Sequence, residues 1–193
     1  MTGDSKNGKY KFTDEHLEEL KKEVLSLYWL WNTYKKIYIE LSENKLQVLN
    51  RYSYFFKAIQ LSMIDTILLR LARLFDPYKQ GRNYNLTLEI LVHIDESLEH
   101  DYKNLKTKVE KTIKKPRDKL LAHKDFNSPK LQKEISLSSK DIENILTGLA
   151  IFLNKFGNKS GKWDNIDINQ VGKLDIFDDI EMLFTTLQKS IKS

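Results

Sequence analysis

Seven glycines and three prolines in 193 residues leave this chain few places to interrupt a helix. Gly3, Gly8, Pro77, Gly81, Pro116, Pro129, Gly157, Gly161 and Gly172 fall between or at the ends of apolar-periodic stretches, and only Gly148 lies inside one. Long uninterrupted helices follow. Thr13 is placed to cap the first, with Asp14 and Glu15 in its opening turn and Leu17, Leu20, Val24, Leu27, Trp31, Tyr34, Tyr38 and Leu41 along one face. His16 there reads as a solvent-facing ring.

After a break at Ser42-Glu43-Asn44, a second helix is predicted from about Arg51 to Phe75. It is apolar on nearly every side, with Phe55, Phe56, Ile59, Leu61, Met63, Ile67, Leu69 and Leu71 spread around the wheel, which suits the centre of a bundle. Asp76-Pro77 ends it. Leu86 to Ile94 forms a shorter helix. Leu98, Tyr102, Leu105, Val109 and Ile113 mark another with a lysine-crowded outer face, which Pro116 either kinks or follows as the first residue of a new helix. Ser138 or Ser139 caps a helix that Gly157 stops, and the last helix runs through Ile176, Ile180, Leu183, Phe184, Leu187 and Ile191. Ile135 to Leu137 and Asp164 to Ile168 suit short extended pieces. The fold class is therefore all-α, an up-and-down bundle of five to six helices forming one domain over residues 13–193 after a flexible segment, 1–12.

Several kinds of chemistry are excluded. With no cysteine there is no disulfide, thiol nucleophile or Cys-ligated metal, and a reducing cytoplasm suits the composition. No phosphate-cradling glycine loop, nucleophile elbow or helical E-x-x-H pair is present, so no cofactor and no metal are expected. His93, Glu96 and His100 share one side of a helical wheel but read as solvated surface. The apolar stretches are too short for a bilayer, and the polar first twelve residues carry no export pattern. A net charge of +5 permits a polyanionic partner without demanding one. The excess is local, however: residues 102 to 124 hold nine Lys and Arg against Glu110 and Asp118.

That basic window leads into Lys115-Pro116-Arg117-Asp118-Lys119-Leu120-Leu121-Ala122-His123-Lys124-Asp125, where an arginine, a carboxylate and a histidine occur together. An imidazole can take a proton from a ribose 2′-hydroxyl and return one to a leaving oxygen, and a guanidinium fork suits a phosphate whose charge is building. Six positions apart, Arg117 and His123 point about 120° apart on an ideal helix. A long Arg side chain, a kink at Pro116, or the same segment of a second subunit would bring them onto one phosphate. Dimerisation is the most economical of these.

The whole stretch resembles the R-[N/D/H]-x(n)-H signature of the HEPN superfamily (higher eukaryotes and prokaryotes nucleotide-binding domains), and its Leu121-to-Asp125 ending resembles the branch typified by abortive-infection AbiU-like proteins. Leu71-Ala72-Arg73-Leu74-Phe75-Asp76, followed by Asn85-Leu86-Thr87-Leu88, is similar to that branch's second helix and following turn. The resemblance spans residues 14 to 190. It implies an all-α bundle that dimerises, with paired motifs lining a cleft that acts as a metal-independent ribonuclease and leaves a 2′,3′-cyclic phosphate. The catalytic roles then fall to Arg117, Asp118 and His123. Asp118 orients a catalytic group or the ribose rather than acting as a base.

Lys115, Lys119, Lys124 and Arg73 are the expected RNA and phosphate contacts, although Arg73 with Asp76 also reads as an internal ion pair or cap. Tyr102 and Phe126 are placed to stack on unpaired bases. Partners are a second copy, RNA and an antitoxin or operon-encoded protein, in the cytoplasm and away from membranes. Asp125 stands where toxins silenced by nucleotide transfer carry Tyr, so that form of control is not implied. The alternative is a non-catalytic module that dimerises and uses the same basic groove for a nucleotide, a nucleic acid or a protein.

Overall fold

A computed structural model describes residues 3–4, 11–117, 138–160, 164–167 and 176–192. Among them the chain forms α1 (Asp14–Tyr38), α2 (Glu43–Arg51), α3 (Ser53–Arg73), α4 (Glu89–Ile94), a short 3-10 turn (Glu96–Leu98), α5 (Glu99–Arg117), α6 (Ser139–Ser160) and α7 (Ile176–Lys192). Two small antiparallel ladders join Gly3–Asp4 to Lys11–Phe12 and Lys79–Gln80 to Asn83–Tyr84, the second turning at Gly81 with φ 63°. An all-α bundle is what the periodicity requires, and it is what forms.

Helix directions follow from side-chain registers. Tyr38 Oη donates to the carbonyl of Phe56 at 2.8 Å, and Arg70 at the other end of α3 donates to Ser26 Oγ, so α1 and α3 are antiparallel. Phe75, just after α3, stacks on Tyr102 near the start of α5 at 5.9 Å between centroids. Lys155 meets Asp101 at 2.6 Å, and Lys35 meets Glu143 at 2.7 Å. Helices α1, α3, α5 and α6 therefore run up, down, up and down. Their buried faces, with Leu98 of the 3-10 turn, form one core around Leu27, Trp31, Ile67, Leu71, Val109, Ile145 and Leu149. Gly148 lets α5 and α6 close together, because a Cβ there would lie 2.8 Å from Leu105 Cδ1.

A second, smaller core sits at the end of the bundle where α1 stops and α3 begins. There Ile37, Val48, Phe56, Ile180 and Phe184 pack together and join α2 and α7 to the bundle. Lys45, 6% exposed, reaches the carbonyl of Lys36 and Glu181, and its ammonium lies over the Phe184 ring at 5.7 Å. Burying a lysine is tolerable only with such partners.

Several boundaries differ from the sequence expectation. The Ser42-Glu43-Asn44 break is the start of α2, whose Lys45 N–H donates to Ser42 Oγ. Leu41, expected on the buried face of α1, lies beyond that helix and is 45% exposed. Gly157 does not stop α6, which continues to Ser160. Pro116 lies inside α5, within its last turn, and opens no new helix there. Helix α3 is not central, since Tyr54, Phe55, Leu61 and Leu69 face outward. His16 is half-buried rather than idle: its Nδ1 accepts from the Thr13 N–H at 3.1 Å, filling the capping-box role usually taken by Glu or Gln. Phe12 is buried and packs edge-on against Phe156, so the expected flexible segment does not extend to it. Asn154 pairs through both side-chain atoms with the backbone of Ile166, giving that irregular stretch the partner a strand would supply.

Candidate functional site

Helix α5 brings charge to one end of the bundle. Glu99 and Asp101 open it, and Tyr102, Leu105, Val109 and Ile113 turn inward at helical spacing. Lys103, Lys106, Lys108 and Lys111 are left toward solvent. Lys103 is held by Glu99 at 2.6 Å, and Lys106 lies 5.7 Å from the Tyr102 ring centroid. Lys108 and Lys111, with Thr112, form one wall of a recess of about 480 Å³.

The opposite wall is the first two turns of α6: Ser138, Asp141, Asn144 and Ile145. Ser138 Oγ accepts from the Asp141 N–H at 3.3 Å and caps the helix. The recess thus combines two lysines, an amide, two hydroxyls and the positive end of a 22-residue helix dipole, with Asp141 as the one acid among the described lining residues. Pro116 has no N–H for the carbonyl of Thr112, so the ladder is broken in the turn that borders this space. The recess lies where the chain leaves α5 and returns to α6, and its volume is that of a small-ligand cleft.

The proposed catalytic residues bear on this place unequally. Arg117 ends α5, and Lys115 belongs to its last turn. Asp118, Lys119, His123, Lys124 and Phe126 lie outside the described residues. They belong to the segment 118–137, which joins Arg117 to the recess-lining Ser138. Arg73 is elsewhere. With Tyr102 beside Phe75 and α5 antiparallel to α3, Arg73 and Arg117 stand toward opposite ends of one bundle, about 20 Å apart along α5.

Instead, Arg73 lines a smaller recess of about 140 Å³ with Glu19, Glu23 and Leu86, and its carbonyl accepts from the Asp76 N–H at 3.3 Å. Tyr102 cannot stack on a base as expected. It is 6% exposed, lies against Phe75 and Phe152, and its hydroxyl has no hydrogen-bond partner among the described residues. Burial pushes its phenol well above the ordinary value, and the carboxylates of Glu89, Glu110 and Asp76 add to the rise.

The one-sided wheel of His93, Glu96 and His100 fails because the chain leaves helical geometry at Asp95. His93 packs on Tyr78 at 4.2 Å and His100 pairs with Asn104 at 2.9 Å. Among the described residues no group of His, Cys, Asp and Glu is arranged to hold a metal ion. What sequence reading missed is the α6 wall. Its signal was the capping serine followed three residues later by an acid, and Gly148 to mark the close helix pair.

An up-and-down bundle that presents a basic helix ending in Arg117, with His123 six residues on, defines a HEPN-type module. The family model described as AbiU2 matches residues 11–160, and the chain belongs to that family of HEPN domains. The matched range covers α1 to α6 and stops before α7, short of the 14-to-190 span of the sequence resemblance. No curated protein and no solved structure matches the chain. Among the described residues no helix is long and apolar enough to cross a membrane.

Proposed function

We propose that this protein is a metal-independent endoribonuclease of abortive infection or toxin type, acting in the cytoplasm, with Arg117, Asp118 and His123 of two subunits forming a composite site. The observation that supports the reading is the position of the motif. Its first residue, Arg117, ends a lysine-bearing helix that also walls a concave polar recess. In this reading His123 takes the proton of a ribose 2′-hydroxyl, the oxygen attacks the adjacent phosphorus, and the 5′-oxygen leaves with a proton as the 2′,3′-cyclic phosphate forms. Such an acid-base group contributes about 10² to 10⁴ in rate. Arg117 stabilises the charge that gathers on the phosphoryl oxygens, and Asp118 orients the ribose or a catalytic group. Lys108 and Lys111, with Lys115, Lys119 and Lys124, hold flanking phosphates. Arg73 takes no part in this site within one chain. An antitoxin or operon-encoded protein is the partner that would occupy the groove when the enzyme is silent.

Asp141 among the lysines of the recess favours a second reading. In it the module binds a nucleotide, a nucleic acid or a protein and does not cut. Labelled RNA incubated in EDTA with the wild-type protein and with His123→Ala separates the two. Cleavage by the wild type alone supports the ribonuclease. Equal cleavage by both, or none by either, removes it, and binding without cleavage favours the module.

A further inference from the structure

At the far end of the α5–α6 seam, ion pairs hold Lys103 to Glu99, Lys155 to Asp101 and Lys159 to Asp95. At the recess the pairing stops. The side chains of Lys108 and Lys111 on α5 and of Asp141 and Asn144 on α6 have no hydrogen-bond or ion-pair partner among the described residues, although all four line one space of about 480 Å³. Asp141 therefore does not neutralise either lysine. Helix register arranges the four. Leu105 of α5 meets Gly148 of α6, so in this antiparallel pair Lys108 stands level with about Ile145, and Thr112 with about Asp141. Asp141 and Asn144, three positions apart, are neighbours on one face of α6, with about 5–6 Å between their Cβ atoms. Ile145 lines the recess beside them and supplies an apolar surface.

We propose that this recess selects guanine: the Asp141 carboxylate takes the two donors on the pairing edge of the base, Asn144 serves the neighbouring O6, and Lys108 and Lys111 hold the adjoining phosphate. A carboxylate accepts and does not donate, and its two oxygens suit two parallel N–H groups. Among the four RNA bases only guanine sets two donors side by side on that edge, N1–H and the 2-amino group. Adenine and cytosine set one donor beside a bare ring nitrogen, which a carboxylate repels. Uracil sets its one N–H between two carbonyls. The amide of Asn144 donates to O6, next to N1–H, but an amide alone would accept adenine as readily, so the carboxylate carries the choice. The face of the ring lies on Ile145.

Lysines attract any phosphate and distinguish no base. Affinity and selectivity therefore come from opposite walls of the recess, α5 for the first and α6 for the second, and single substitutions separate them. The inference rests on the reading of the recess as the place where RNA or a nucleotide is held. It does not require cleavage, and its test uses none.

Calorimetric titration of the full chain with GMP, AMP, CMP, UMP and IMP in EDTA tests the assignment. GMP is expected to bind about tenfold or more tighter than AMP, CMP or UMP, the discrimination of a good bidentate base contact. IMP, which lacks the 2-amino group, is expected to fall between GMP and AMP. Asp141→Asn is expected to bring GMP to the level of AMP with the helical circular dichroism unchanged, and Asp141→Ser is the second variant, with the same expectation, should Asp141→Asn unfold. Lys108→Ala is expected to weaken all five nucleotides alike. Equal affinity for GMP and AMP, no binding of GMP at millimolar concentration, or a preference that survives loss of the Asp141 carboxylate overturns the assignment. The ribonuclease reading fails separately. Guanine-selective binding by a protein that does not cut RNA removes the ribonuclease and keeps the assignment, and cleavage by a protein that binds the nucleotides alike does the reverse.

Discussion

Replacing Gly148 probes the α5–α6 seam on which the candidate recess is built. A Cβ at this position lies 2.8 Å from Leu105 Cδ1, closer than side chains pack, and Leu105 is buried at 6% exposure. For Gly148→Ala two effects oppose each other. Alanine is better than glycine in a helix interior by about 0.8–1.0 kcal/mol, while moving the Leu105 methyl off its rotamer costs about 0.5–1.5 kcal/mol. The net change is expected to lie within about 1 kcal/mol of zero.

Gly148→Leu adds three more heavy atoms to the same space, and overpacking of this kind costs about 1–3 kcal/mol. Leu105→Ala alone opens a cavity worth about 2–5 kcal/mol. In the double variant the new leucine fills what the old one vacates, so the two losses should cancel in part, with a coupling of at least about 1 kcal/mol. Urea unfolding followed at 222 nm measures all four proteins. Strictly additive losses, or a Gly148→Leu protein more stable than the wild type, would refute the close approach of α5 and α6.

Tyr102→Phe removes a buried hydroxyl that has no partner among the described residues, so stability is expected to hold or to rise by up to about 1 kcal/mol, with RNA cleavage unchanged. Cleavage lost from an equally stable variant would restore the base-stacking role that burial denies it. At the junction before α5, Lys159 first and then Ser97 hold the Asp95 carboxyl below its ordinary range. A lowered folded value means that its contribution is present above about pH 4 and is lost as the pH falls through that lowered value. Asp95→Ala is accordingly expected to cost about 1 kcal/mol at pH 7 and almost nothing near pH 2. Equal costs at both pH values in urea unfolding would contradict the linkage.

The bundle was legible because α1, α5, α6 and α7 carry one-sided apolar periodicity, and the Thr13 and Ser138 caps mark true starts. Short-range rules failed where tertiary contacts decide. Ser42-Glu43-Asn44 reads as a break until Val48 and Lys45 find α7. Gly157 is buried inside α6, where packing outweighs its preference for a helix end. Apolar residues on both faces of α3 were read as centrality, but a single chain covers only one of those faces. At the site, the lysines of α5 and the Arg117 motif were visible as a charge run. Lys108, Lys111, Asp141 and Asn144 line one recess only because α5 and α6 are antiparallel, a fact held in no local stretch of sequence. Arg73 reads in sequence as a phosphate contact or as an internal partner of Asp76, and helix direction sets it toward the opposite end of the bundle from Arg117.

Mixing two dead variants tests the composite site most directly. In a heterodimer of Arg117→Ala with His123→Ala, a site built across subunits loses both groups at one position and keeps both at the other. Random reassortment of equal amounts makes half the dimers mixed, each with one live site of two, so RNA cleavage is expected to return to about one quarter of wild type. Each variant alone is expected to stay inactive. A mixture as inactive as its components, when heterodimers are verified to have formed, would contradict a site shared between two subunits.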